Sequence, residues 1–218
     1  MKIKKVILCS FLVLIPVLTF TACDDPSSNN NDDDTYVGTE GLSFTLINNG
    51  TAYRVSGSSV KSSDVIIPAS YKGLPVTNIG SFGNSKSILN SITIPSSITN
   101  IEANAFTSCD NLISVAFASD SRLEIIGRQA FQHCTSLTNI TIPESVTSII
   151  EFAFSFCRSI ASITIPTSVT SIGNNAFGSW TSSQTIYVHW TEGNRPSGWN
   201  GSWHGGIGEK AQIVYLEQ

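Results

Sequence analysis

The side chains best equipped for chemistry in this 218-residue chain are five cysteines, three histidines and a dense group of tryptophans near the C-terminus. A zinc site would need ligands at converging spacings, and none occurs around Cys109, Cys134 and Cys157. His133 stands directly before Cys134, so on an extended segment the two point to opposite sides. A disulfide between two of the three cysteines is sterically conceivable in an oxidising compartment, although three cannot all pair internally. Ser58-Ser59-Val60-Lys61 fits Ser-x-x-Lys, a weak pattern in a Ser-rich chain that lacks the companion motifs. There is no Gly-x-Ser-x-Gly, no phosphate loop and no His-Glu-x-x-His, and His189 and His204 show no ligand spacing. Catalysis, a metal and a cofactor are not expected.

Recognition has two candidate surfaces. Trp190, Trp199 and Trp203 are interleaved with Gly193, Gly198, Gly201, Gly205 and Gly206. If exposed, such rings stack on sugars or anchor a protein contact; if buried, they cover the open end of a core. The second surface is a set of small polar residues recurring at fixed intervals: Ser91 and Thr93, Ser114, Asn139 and Thr141, Ser162 and Thr164, and Tyr187. Hydroxyls and amides so spaced can pair with a peptide backbone or a glycan, while Thr and Ser also suit a plain solvated strand surface.

What positions both surfaces is an internal repeat, the strongest signal in the chain. Leu89-Asn90-Ser91-Ile92-Thr93-Ile94-Pro95 recurs from Leu112, Leu137, Ile160 and Ser183, at offsets of 23, 25, 23 and 23 residues. Ala-Phe pairs at 105–106, 130–131, 153–154 and 176–177 keep the same register. Three residues after each Phe stand Cys109, Cys134, Cys157 and finally Trp180. A slot that accepts Trp is a packing slot, so the thiols read as buried and free. Alternation in Leu-x-x-Ile-x-Ile turns one side of a short strand to a core. The following proline lacks an N–H and ends the ladder. Ile98 with Ile101, Val146 with Ile149, and Val169 with Ile172 return the chain, and Ala-Phe closes the coil.

No single coil buries this set alone, whereas stacked coils make one continuous core. The spacing predicts a β-rich, right-handed solenoid of mostly parallel short strands, with helical or 3-10 turns around Ala-Phe. Residues 41–64 are expected to form an N-terminal hairpin cap turning at Asn48-Asn49-Gly50. The repeats then occupy 65–188, and 189–218 make a Trp/Gly-rich C-terminal cap.

The N-terminus sets the compartment. A basic head with Lys2, Lys4 and Lys5 precedes an apolar run through Phe20, which is shorter than a membrane span requires and reads as a secretory signal over 1–22. Phe20-Thr21-Ala22-Cys23 resembles a bacterial lipobox, in which Cys23 carries the acyl chains. Phe20 departs from the usual Leu or Val in a way that resembles spirochaete lipoproteins. The alternative is an ordinary signal cut after Ala22. Residues 23–40 carry six of the sixteen acids, and the stretch 24–34 has no apolar residue able to join a core, as a solvated, lipid-anchored tether does. Beyond them the chain is nearly neutral, which gives no electrostatic footprint for nucleic acid.

The unit Ile-x-Ile-Pro-x-Ser-Val-Thr-x-Ile-Gly-x-x-Ala-Phe-x-x-Cys-x-x-Leu resembles the BspA-type leucine-rich repeat over about residues 60–188. That resemblance implies a bacterial surface protein, adhesin-like, with no catalytic residues and no binding residues set by motif. The expectation is a surface-displayed module, lipid-anchored at the outer membrane or cell surface. It would recognise a protein ligand, a host matrix or other cell-surface protein, through the ladder face. Glycan or cell-wall binding through the three tryptophans, or a structural envelope lipoprotein with no ligand, are the alternatives.

Overall fold

A computed structural model describes residues 38–57, 59–205 and 210–216. The expected signal, Cys23 and the tether as far as residue 37 lie outside the described residues. One residue at the end of the expected tether is held by the fold. Thr39 donates its N–H to the Ile66 carbonyl and accepts the Ile66 N–H on its hydroxyl.

The strands are β1 (Ser43–Ile47), β2 (Ala52–Ser56), β3 (Asp64–Ile66), β4 (Ser70–Tyr71), β5 (Leu74–Ile79), β6 (Ser91–Ile94), β7 (Asn100–Ile101) and β8 (Ser114–Phe117). They continue with β9 (Ile125–Ile126), β10 (Asn139–Ile140), β11 (Ser148–Ile149) and β12 (Ser162–Ile165). The last are β13 (Ser171–Ile172), β14 (Thr185–Val188), β15 (Gly198–Trp199) and β16 (Gln212–Tyr215). Together they wind a β-solenoid of about seven turns with three walls. The first wall stacks β3, β6, β8 and β10, then separately β12, β14 and β16, all parallel. The second is one unbroken parallel ladder of β2, β5, β7, β9, β11, β13 and β15, with β1 antiparallel at its N-terminal edge.

In-phase pairing places like residues over like. Ile92 pairs with Val115 and Ile163 with Ile186 in the first wall, and Ile101 with Ile126 and Ile149 with Ile172 in the second. All are buried. Between the walls runs a file of rings. Successive centroids of Phe82, Phe106, Phe131, Phe154 and Phe177 lie 5.1, 5.2, 5.3 and 5.4 Å apart, and the last three pairs are stacked within 13° of parallel.

The third wall departs from expectation. Among the described residues only Gly83–Ser85, after Phe82, forms a 3-10 turn beside the ring file. In the other coils alternate N–H groups go to the next coil instead. Asn104, Phe106 and Ser108 donate to the carbonyls of Arg128, Ala130 and Gln132, and Phe152, Phe154 and Phe156 to those of Asn174, Ala176 and Gly178. A helix needs those donors within its own turn. Turning them outward puts two residues per coil in the left-handed region, among them Asn104, Ser108, Phe152 and Phe156.

Both ends are built as coils. Gly57 takes the place of the missing first ring: a Cβ there would sit 2.0 Å from Phe82, so only glycine lets the ring lie on this backbone. At the C-terminus the expected cap supplies a seventh turn. β15 continues the second wall, Phe177 donates to the Trp203 carbonyl, and β16 extends the first wall. Trp199 follows Ile172 in its column, and Trp203 meets Phe177 edge-on at 5.8 Å.

Candidate functional site

The outward positions of the first wall line up in two columns. Asp64, Ser91, Ser114 and Asn139 are in register, as are Ile66, Thr93 and Ala116; beyond the break, Ser162 aligns with Thr185 and Thr164 with Tyr187. Thr93, Asn139, Thr141, Ser162 and Thr164 are exposed, while Ser91, Ser114 and Tyr187 are half-buried. Alternation along each strand produces this, since the intervening Ile92, Val115, Ile140, Ile163 and Ile186 face the core. The face is nearly free of charge. Asp64 accepts hydrogen bonds from the Ser91 and Ser63 hydroxyls, which hold its carboxyl below the usual carboxylate range. Ser91 is thereby engaged within the protein; the other seven candidates present their polar atoms outward without such a link to a charged group.

The ladder of this wall is incomplete. β8 pairs with β6 at four positions but with β10 at only two, Ser114 with Asn139 and Val115 with Ile140. β10 and β12 do not pair, so Thr141 and Ile142 belong to no strand. Where β8 and the coil after β10 separate, a cleft of about 550 Å³ opens, lined by Ser114, Ala116, Phe117, Thr141, Ile142 and Glu144, among others. The third coil is irregular at this spot. Half-buried Phe117 occupies the position of buried Ile94, Ile142 and Ile165, and Ala118 replaces the proline that follows them.

The cysteine slot holds no reactive site. Cys109, Cys134 and Cys157 are buried and free. Cys134 Sγ–H points at the Phe106 carbonyl (3.1 Å) and Cys157 Sγ–H at the Phe131 carbonyl (3.0 Å). Trp180 Nε1–H makes the equivalent bond to the Phe154 carbonyl (2.9 Å). In the first coil Ser85 donates to the Gly57 carbonyl. The slot therefore selects a buried donor to the preceding coil as well as bulk. The Ser85 member was hidden in the sequence because its coil reads Ser81-Phe82 where the others read Ala-Phe. Burial pushes the Cys109 and Cys157 thiols up to about 12, and that of Cys134 well above its ordinary value. These thiols stay protonated and are poor nucleophiles. Among the described residues no three His, Cys, Asp or Glu side chains group to hold a metal.

The tryptophans sit elsewhere than a stacking platform requires. Trp199 and Trp203 are 5 % and 3 % exposed, and Trp190 is half-buried against Trp199 at 5.2 Å. Trp199 Nε1–H is spent on the Val169 carbonyl. The hollow they line, with Arg195 and Tyr215, is about 40 Å³, room for about one water and not for a sugar ring.

Comparison with known proteins agrees with this architecture. The chain is similar to a leucine-rich cell surface protein of Faecalibacterium prausnitzii A2-165, with 30 % identity and a TM-score of 0.57 over 72 % of this chain and 46 % of that one. It is similar to the leucine-rich repeat protein of T. pallidum (26 %, TM-score 0.59), covering 67 % of this chain and 68 % of that one. A leucine-rich repeat protein of Bacteroides ovatus ATCC 8483 aligns at 26 % identity and TM-score 0.55, over 71 % of this chain and 41 % of that one. The chain thus spans less than half of the Faecalibacterium and Bacteroides proteins. No curated protein matches it in sequence. The model of the BspA-type leucine-rich repeat region matches residues 59–184 in six copies, and by that match this chain belongs to the BspA-type leucine-rich-repeat family.

Proposed function

We propose that this chain is a binding module displayed at a bacterial surface, recognising a protein ligand through the outward face of its first wall. The observation that carries the reading is the pair of polar columns, exposed at Thr93, Asn139, Ser162 and Thr164 on strands held at ladder spacing by a buried core, with Thr141 exposed beside them. Such a face offers directional partners to another polypeptide, and its position is set by coils that move together. Leucine-rich repeats are a general protein-interaction fold. The Faecalibacterium relative, a leucine-rich cell surface protein, supports the location. A host matrix protein or another cell-surface protein is the partner class. The buried Trp199 and Trp203 leave little for a glycan to stack on, so the tryptophan route is not carried forward.

The anchor belongs to the same reading, with residues 1–22 as a lipoprotein signal, Cys23 as the acylated residue and the acidic stretch behind it as spacer. Several acyl chains hold a protein stably where one is marginal. Palmitate labelling of wild type but not of Cys23→Ser is the expected outcome, and equal labelling of both would refute it.

The binding test is an array of matrix and cell-surface proteins probed with the full-length protein and with a Thr93→Arg, Thr164→Arg variant. Both substitutions lie on exposed outward positions, so folding should persist while binding is lost. A ligand held equally by the variant refutes recognition through Thr93 and Thr164.

A further inference from the structure

The cleft in the first wall has a property that a surface hollow does not need. Along a parallel strand, residues alternate in which neighbour receives their N–H and C=O. Ser114 and Ala118 donate to the carbonyls of Asn90 and Ile94 in the second coil. Val115 and Phe117 therefore turn their backbone groups to the fourth coil, as does the carbonyl of Ile113, which accepts the Asn139 N–H while the Ile113 N–H goes back to Asn90. The partners due to Phe117 are the Thr141 carbonyl and the N–H of residue 143. Pairing ends at Val115 and Ile140, so the first is not reached. Residue 143 is proline and has no N–H. The corresponding carbonyls of Ile94 and Val188 do receive their donors, from Ala118 (3.0 Å) and Leu216 (2.7 Å). Phe117 thus presents a donor and an acceptor, side by side on a strand edge, to a cleft of about 550 Å³. That volume lies within the range of ligand-binding pockets.

We infer that this cleft receives an extended segment of a protein ligand as an added β-strand, one residue of which exchanges both backbone hydrogen bonds with Phe117. The inference rests on the proposed protein-binding role of the face and names how the face would bind. Three observations choose a peptide strand as the occupant. The unpaired N–H and C=O match a polypeptide backbone, which carries both groups at that spacing in every residue but proline. The same wall already pairs with a residue laid along its N-terminal edge, where Thr39 donates its backbone N–H to the Ile66 carbonyl and accepts the Ile66 N–H on its side-chain hydroxyl. The lining combines apolar Ala116, Phe117 and Ile142 with the hydroxyls of Ser114 and Thr141, as the alternate side chains of a strand require. Glu144 is the one charged residue of the lining and is exposed. It selects a strand with Lys or Arg at that end.

The test selects a random dodecapeptide display library on the full-length protein and measures recovered peptides by fluorescence anisotropy. Expected are peptides rich in β-branched residues with a Lys or Arg, and slowing of amide exchange at Phe117 by about tenfold or more on binding. N-methylation of the peptide residue that pairs with Phe117 should weaken binding by about tenfold, the equivalent of one lost hydrogen bond to the edge. Glu144→Lys should also weaken it, and Ala116→Trp, which fills the cleft from an exposed position, should abolish it. No enrichment, or peptides that leave Phe117 exchange unchanged, overturns the inference. A matrix or cell-surface ligand from the array lost with Thr93→Arg, Thr164→Arg but kept with Ala116→Trp overturns strand addition alone. Binding that withstands both sets of variants overturns the ladder face as well.

Discussion

The Phe wall and the first ladder wall are made by the same coils, yet one runs unbroken from Phe82 to Trp203 while the other splits between β10 and β12. The Phe wall has two independent ties per coil: ring on ring, and an N–H at alternate residues donated to the next coil. Its slots are small and closed, so Ala, Phe and a donor three residues on are kept in nearly every coil. The ladder wall has one closed side, where Ile and Val are demanded, and one open side facing solvent. A change such as Phe117 or Ala118 can be absorbed by letting a pair of strands part. Where a wall has two ties per coil its sequence repeats; where it has the ladder alone, variation collects and a cleft can form.

The largest test of that contrast is Phe154→Ala, which removes the middle of the ring file and should destabilise by ~3–5 kcal/mol. Denaturant unfolding measures it, and a change below about 1 kcal/mol would break the closed-wall account. Next comes alkali. An unfolded thiol ionises near 9, whereas folded Cys109 and Cys157 hold their protons to about 12, so above 9 the unfolded state binds fewer protons and is favoured. Thermal stability should fall as pH rises from about 9 towards about 12, and less steeply in the Cys109→Ala, Cys157→Ala double variant. Identical slopes would mean that the thiols are not sealed in.

Trp180→Phe keeps a ring in the slot but strips the donor from the Phe154 carbonyl, with an expected loss of about 1–3 kcal/mol. Asn104→Val is a sharper probe because Asn104 is exposed. It lies at φ 59°, and a β-branched residue in that region should lose about 1–2 kcal/mol with nothing buried. Thr164→Val, equally exposed but on a strand, should stay within about 0.5 kcal/mol of wild type. If the two exposed substitutions behave alike, left-handed backbone is not what holds the Phe wall.

Much of this was legible because a solenoid writes its period into its sequence. The offsets shared by Leu89, Ala105 and Cys109 and their copies place strands, turns and core without any long-range information. The coils at the two ends were less legible because their slots hold different residues. Gly57 stands for a ring, Ser85 for a cysteine, Trp199 for Ile, and Trp203 for the Ala whose carbonyl receives the N–H of the preceding Phe. Trp and Gly in a dense run suggested a lid, whereas they form one more coil. The expected 3-10 turns failed for a related reason. Local propensity does not register that alternate N–H groups have acceptors waiting in the next coil.

Residue types and their spacing determined the repeat, the inward and outward sides of each strand, and the polar columns, since each follows from alternation within a few residues of chain. The tertiary structure alone decided which backbone groups stay unpaired. Whether Phe117 finds a partner depends on Pro143 one coil away and on how far β8 and the following coil part. Hydrogen-bond partners across a ladder belong to two segments at once, and no single stretch of sequence contains both.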